Sequence, residues 1–316
     1  MKAAVVGVLG EPPRYQDFAE PTPSEGEVLI HVQAAGLHPV VKAIASGSHY
    51  SSRGEVPVVP GIDGVGTLDD GSRVYFGFAR KPWGSMCERT VAPRAKCLPL
   101  PDGIDAVQAA AIVNPGMSAW LSVKERASLQ IGETALILGA TGVAGQLAIQ
   151  AARYLGAERV IAAGRNLDAL ESARPDAVVS LTQSEDAIRD AFTVEAKRGI
   201  DVVIDYLWGR PTELLLEALA KGFDPNGSRR TRLVELGESA GKTITLPGAT
   251  LRSIDLHLMG GGFGSASLMR IFEAIPTIFS LAAAGILRVA VEAVPLAEVE
   301  SAWTRKESGK RIVFKT

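Results

Sequence analysis

The sequence predicts an α/β chain in two parts: a loop-rich antiparallel β part, then a parallel sheet with helical crossovers. Three observations carry this reading. Twelve of the eighteen prolines fall before residue 116, between short apolar runs, as in an antiparallel barrel or sandwich. From Glu133 on, apolar runs alternate with amphipathic segments, the pattern of strand and crossover helix. A turn with evenly spaced glycines, GATGVAG, follows the first of those runs.

In the first part the short apolar runs are VLIHVQA, RVYFGF and ERTVA. VLIHVQA alternates, with Val28, Ile30 and Val32 on one face and Leu29, His31 and Gln33 on the other, as a half-buried strand does. In the second part the strand candidates are TALIL, RVIAA, AVVSL, DVVID and TRLVEL. After about residue 265 the pattern predicts a long helix to Ala284, the strand LRVAVEAV, a short helix near Ala297–Thr304 and the strand RIVFK. These last strands resemble the first part in character, which makes that part discontinuous in sequence.

Composition excludes several classes. A net charge of -2 gives no bulk attraction to nucleic acid or to an anionic membrane. Arg229, Arg230 and Arg232 cluster after the Asp224–Gly227 turn, and are read as a solvated loop. The start, MKAAVVGVLGEPP, has an apolar run too short and too soon broken by Gly and Pro to act as a signal peptide, and no run approaches the roughly 20 apolar residues of a membrane span. Two cysteines, Cys87 and Cys97, are too few for a disulfide framework or a tetrathiolate zinc site, so a cytoplasmic location is expected.

The stretch LILGATGVAGQLAIQ places glycines at 139, 142 and 145. It follows a continuous apolar run and opens a helix whose stripe is Val143, Leu147, Ala151 and Leu155. A second strand begins at Arg159, at the spacing of a βαβ unit. The turn reads either as a phosphate cradle or as a tight packing turn. Its context favours the cradle, with Gly139, Thr141, Gly142 and Val143 presenting bare main chain and a helix N-terminus to a pyrophosphate. At the end of the second strand the chain reads AAGRN, with no acid to hold a ribose 2′-hydroxyl. Gly164, Arg165 and Asn166 stand there, and the Arg165 guanidinium suits a 2′-phosphate, so NADPH is the expected cofactor; the alternative is that Arg165 caps a surface loop.

The motifs GEVLIHVQAAGLHP, PGIDGVG (60 to 66), NPGMSAW (114 to 120) and ILGATGVAGQLAIQAARYLGA resemble the medium-chain dehydrogenase/reductase superfamily, on its zinc-free, zeta-crystallin-like quinone oxidoreductase branch. The resemblance spans essentially the whole chain. It implies a GroES-like β-barrel over residues 1–115, a Rossmann doubly wound sheet over 116–264 and a return to the barrel over 265–316, with the active site in the cleft between them. It implies that Ser118 contacts the nicotinamide end, and that Leu236 and Gly237 of LGESAG and Gly261, Gly262 and Phe263 of GGGFG close over the nicotinamide ribose. His38 and Tyr50, with His49 beside them, are the implied pocket residues. Where zinc-bearing relatives carry a Cys and a His-Glu pair, this chain has His38 and Ile62-Asp63. Isoleucine cannot ligate zinc, so no metal is expected.

These features imply an NADPH-dependent reductase that passes hydride to an apolar quinone or α,β-unsaturated carbonyl. The resulting delocalised anion needs positioning, a dry pocket and a donor, for which His38 and Tyr50 are the candidates. An enoyl-thioester reductase and a non-catalytic NADPH sensor are the alternatives. The resemblance also implies a homodimer formed by pairing sheet edges.

Overall fold

The computed structural model describes residues 1–316 except 53, 223–228, 263 and 307–308. The Asp224–Gly227 turn and Phe263 therefore lie outside the described residues. The chain divides into two compact units, Met1–Asn114 with Val289–Thr316, and Pro115–Arg288.

The first unit opens with β1 (Lys2–Val5), β2 (Arg14–Asp17), β3 (Glu27–Gly36), α1 (Pro39–Ala45), β4 (Asp63–Thr67), β5 (Arg73–Gly77), β6 (Arg89–Pro93) and β7 (Cys97–Pro99). Helix α2 (Ala106–Leu121) carries the boundary between the units. The second unit contains β8 (Thr134–Leu138), α3 (Val143–Tyr154), β9 (Arg159–Gly164), α4 (Leu167–Ser172), β10 (Ala177–Ser180), α5 (Glu185–Arg198), β11 (Val202–Asp205), α6 (Gly209–Lys221), β12 (Arg230–Glu235), α7 (Gly248–Ser253), β13 (Asp255–Gly260) and α8 (Leu268–Ala283). β14 (Ala290–Pro295), α9 (Val299–Trp303) and β15 (Lys310–Lys315) complete the first unit.

In the first unit the ten-residue β3 is the organiser. Its first half pairs with β6, from Glu27 opposite Pro93 to His31 opposite Arg89. Its second half pairs with β4 and, from Ala34 to Gly36, with β15. The sheet runs β14-β15-β3-β4-β5-β7, with only the β14–β15 pair parallel. The alternation read from VLIHVQA holds: Ile30 and Val32 enter a core with Val74 and Phe76, while His31 is exposed and meets Asp69 at 2.9 Å.

Among the described residues of the second unit, six strands form one parallel sheet in the order β10-β9-β8-β11-β12-β13. Numbered from β8, that is 3-2-1-4-5-6, the doubly wound order of dinucleotide-binding sheets, whose ligand crevice opens where the winding reverses. Here the reversal lies between β8 and β11, with Leu138 in register with Asp205. The central strands read as unbroken apolar runs because both faces are covered; Leu136, Leu138, Ile161 and Val203 are fully buried against residues of α5 and α6 such as Phe192 and Leu215.

The sequence reading needs two corrections. α8 packs within the second unit, where Ile278 approaches Gly116, so that unit runs to Arg288 rather than 264. β13 was not among the expected strands, because an edge strand has one partner and its mostly exposed side chains lack an apolar run. The basic cluster is paired: Arg229 with Asp201, Arg230 with Asp255 and Arg232 with Glu133. No helix among the described residues is long and apolar enough to cross a membrane.

Two glycines of the turn separate cleanly by space. A Cβ on Gly145 would stand 2.2 Å from the Gly139 carbonyl oxygen, whereas one on Gly142 would meet nothing nearer than 3.4 Å. Gly145→Ala is expected to destabilise the fold by about 1–3 kcal/mol through overpacking, and Gly142→Ala by under about 1 kcal/mol. Chemical denaturation of the two variants side by side checks this.

Candidate active site

The glycine turn is built on hydrogen bonds to the neighbouring strand. Gly139, with φ +83°, donates its N–H to the Ala163 carbonyl at 3.0 Å, and Ala140 donates to the same oxygen at 3.1 Å. The chain then reverses, and the Gly142 N–H returns to the Gly139 carbonyl at 3.1 Å. Gly142 is the N-cap of α3 and offers no side chain to the first free N–H groups of the helix. Val143 is buried, so its contribution to the turn is main chain. Gln146 donates to the Thr141 carbonyl at 3.0 Å and fixes the turn from the helix side. The result is a helix N-terminus with bare donors and partial positive charge at the carboxyl end of the first central strand.

The other expected residues lie at the ends of adjacent strands. Gly164 closes β9 against Thr141, whose methyl would be 3.0 Å from an added Cβ. Arg165 and Asn166 follow it, both exposed; Asn166 caps α4, accepting the Ala169 N–H at 3.2 Å. Leu236 and Gly237 follow β12, and Gly261 and Gly262 follow β13. Gly261 packs on Leu236, whose terminal methyl would lie 2.4 Å from an added Cβ and would have to shift to admit one. Ser118 lies on α2 beside the hydroxyl of Tyr206, a buried phenol whose pKa burial raises and the Ser118 contact lowers in part.

The two residues proposed for proton or hydrogen-bond donation differ sharply. His38 follows β3, caps α1 and has no exposed surface; its Nε2 lies 3.3 Å from Asp63 Oδ1. Tyr75 donates to the other oxygen of Asp63 at 2.6 Å. Tyr50 is 75% exposed, with its ring 4.1 Å from that of His49, whose Nδ1 is 2.7 Å from Ser51 Oγ. Among the described residues no cluster of three His, Cys, Asp or Glu could hold a metal. Burial pushes the Cys87 thiol up to about 12 and Cys97 up to about 11, so both stay protonated at neutral pH.

Three residues, one in the first unit and two in the second, escaped the sequence reading. In sequence Asp63 stands out only beside Ile62 at the position of the relatives' zinc-binding pair, and nothing in sequence joins it to Tyr75. Asp205 ends the apolar run DVVID, where a carboxyl before a helix is a cap signal. It is buried, and burial raises its pKa while Thr212, Trp208 and Leu207 hold it down. Glu235, at the end of β12, is raised by burial and then by the charges of Asp205 and Glu238. It lines a cavity of about 320 Å³ with Trp208, Glu238 and Lys242.

No family model matches the chain. Curated relatives do. The probable NADPH-dependent quinone reductase of Emericella nidulans is 26% identical over 99% of both chains. The human quinone oxidoreductase is 29% identical over 75% of both. Among solved structures, the quinone oxidoreductase of Thermus thermophilus, described also in complex with NADPH, superposes over 100% of both chains with a TM-score of 0.81 and 28% identity. The doubly wound sheet and its glycine turn define a dinucleotide-binding chain. It belongs to the medium-chain dehydrogenase/reductase superfamily, in the quinone oxidoreductase branch.

Two measurements follow from these carboxyls. Tyr75→Phe removes a donor from Asp63 and is expected to cost roughly 1–3 kcal/mol in urea denaturation; an unchanged midpoint would show that the pair adds nothing. Glu235 has a folded pKa above its ordinary value, so the folded state binds the extra proton and stability falls as pH rises from about 4.5 through the raised value. Glu235→Gln is expected to flatten that part of the stability–pH curve.

Proposed function

We propose that this chain is an NADPH-dependent oxidoreductase that reduces a quinone, or a carbon–carbon double bond conjugated to a carbonyl, without zinc. The observation that carries the reading is the glycine-capped N-terminus of α3 at the winding reversal, where no side chain covers the main chain at Gly142 and an added Cβ would meet nothing nearer than the Gly139 carbonyl oxygen at 3.4 Å. Such a terminus suits a pyrophosphate, which Gly139, Thr141, Gly142 and Val143 would hold through main chain. Gly164, Arg165 and Asn166 would hold the adenosine end, with Arg165 on the 2′-phosphate. Ser118, Leu236, Gly237, Gly261 and Gly262 would hold the nicotinamide end. When bound, the cofactor supplies the hydride.

The protein's own part is to bind, orient and keep water out. A quinone or enone suits such a site because hydride addition gives a delocalised anion that one hydrogen-bond donor can stabilise. Of the two candidates in the first unit, here read as the GroES-like substrate unit, Tyr50 carries its hydroxyl on an exposed ring, while His38 is turned toward Asp63. A cytoplasmic homodimer completes the reading: among the described residues β13 pairs with one strand, β12, and its other edge is a template for a second copy.

NADPH oxidation with a simple quinone, a conjugated enal and a crotonyl thioester tests the reading. Turnover is expected with the first two and to survive a chelator. Turnover only with the thioester would make the chain an enoyl-thioester reductase, and binding without turnover a sensor. Arg165→Asp is expected to weaken NADPH about tenfold or more while leaving NADH nearly unchanged, as for loss of one charged hydrogen bond. Unaltered preference in a titration would remove Arg165 from the 2′-phosphate.

A further inference from the structure

We infer that Asp205 is a positioning residue that locks together the two loops proposed to hold the pyrophosphate and the nicotinamide ribose. The inference rests on the cofactor reading above for what the loops bind, but not for how they are held.

Asp205 ends β11 at the winding reversal, in register with Leu138, the last residue before the glycine turn. Its carboxyl is fully buried, and both of its oxygens accept hydrogen bonds. Oδ1 accepts the N–H groups of Leu207 at 2.8 Å and Trp208 at 2.9 Å, and Oδ2 accepts the Thr212 hydroxyl at 2.5 Å. These bonds wrap residues 206–209 around one side chain. The wrapped conformation is a costly one: Trp208 has φ +54° and ψ -164°, a region nearly restricted to glycine, and Gly209 follows with φ +63°. A tryptophan holds such a backbone only when neighbouring bonds over-determine it, and the two N–H groups taken by Asp205 are those of that residue and the one before it.

The wrapped segment touches a candidate cofactor loop on each side. Toward the glycine turn, Leu207 and the Tyr206 Cβ would each lie 3.2 Å from a Cβ on Gly139, so they form the wall against which the turn rests. Toward the loop after β12, the Leu207 carbonyl accepts the Ala240 N–H at 2.8 Å and the Tyr206 carbonyl accepts the Ser239 hydroxyl at 2.9 Å. The Asp205 carbonyl itself accepts the Leu236 N–H at 2.7 Å. Gly209 packs on Ala240 and Gly241 with no space for a side chain. One carboxyl therefore sets a segment that both loops use as their support.

The test compares Asp205→Leu, Asp205→Asn and Thr212→Val by amide hydrogen exchange of the free protein and by NADPH titration with steady-state kinetics. Asp205→Leu removes every acceptor and is expected to speed exchange in residues 139–142 and 236–241 together. It should also raise the NADPH Kd and KM more than tenfold, with kcat within threefold. Asparagine keeps an acceptor for the two N–H groups and a donor for Thr212, so Asp205→Asn is expected to restore both loops and stay within about threefold of wild type. Thr212→Val removes one bond of three and should give a smaller shift in the same two loops; it carries the test if the leucine variant does not fold. Exchange that rises only beside residue 205, or in one loop alone, overturns the inference. So does an NADPH Kd unchanged in a variant whose loops are loosened. If wild type fails to bind NADPH while the two loops still loosen together, the cofactor reading falls and the positioning role of Asp205 stands.

Discussion

The second unit depends on how closely a helix can be brought to the end of a strand. α3 begins where the Gly139 carbonyl lies so near the Cα of Gly145 that no side chain fits between them. That approach sets where the first free N–H groups of the helix point, and those groups are the chemical asset of the fold. The sheet order puts them beside the winding reversal, and the neighbouring strands then deliver their own glycine-containing ends to the same rim. Burial of the central strands on both faces keeps this rim rigid.

The unit's polar residues follow from that geometry. A rim made by parallel strand ends exposes carbonyl and N–H groups that no ladder satisfies, and side chains or turns must take them up. Asp205, Thr212, Asn166 and Gln146 each take part in this around the ends of β8, β9 and β11. In the first unit the buried polar group is of another kind: Asp63 of β4 meets His38, at the start of α1, and Tyr75 of β5.

Local pattern made much of the fold legible. TALIL, RVIAA, AVVSL, DVVID and TRLVEL all became strands, and the central ones, TALIL, RVIAA and DVVID, are apolar because both of their faces are covered. The glycine turn was legible because its spacing has a steric cause. β13 was not, since an exposed edge strand carries no periodic signal, and neither was the placement of α8, since amphipathicity says that a helix packs but not on what. At the candidate site, Arg165 and the glycine turn could be read from residue type and position. The partnership of Asp63 with Tyr75 and the wrapping of 206–209 around Asp205 could not, because each joins residues through side-chain geometry that one-dimensional spacing does not encode.

The first unit is interrupted, and its central strand waits for the last one. β3 finds β15 at Ala34–Gly36, so a chain leaving the ribosome must make nearly 280 further residues before that pair can form. The inserted unit has all of its own strands and helices by Arg288 and can condense while the earlier segment is still incomplete. During synthesis the β3–β15 pair can therefore form only after every strand and helix of the inserted unit has been made.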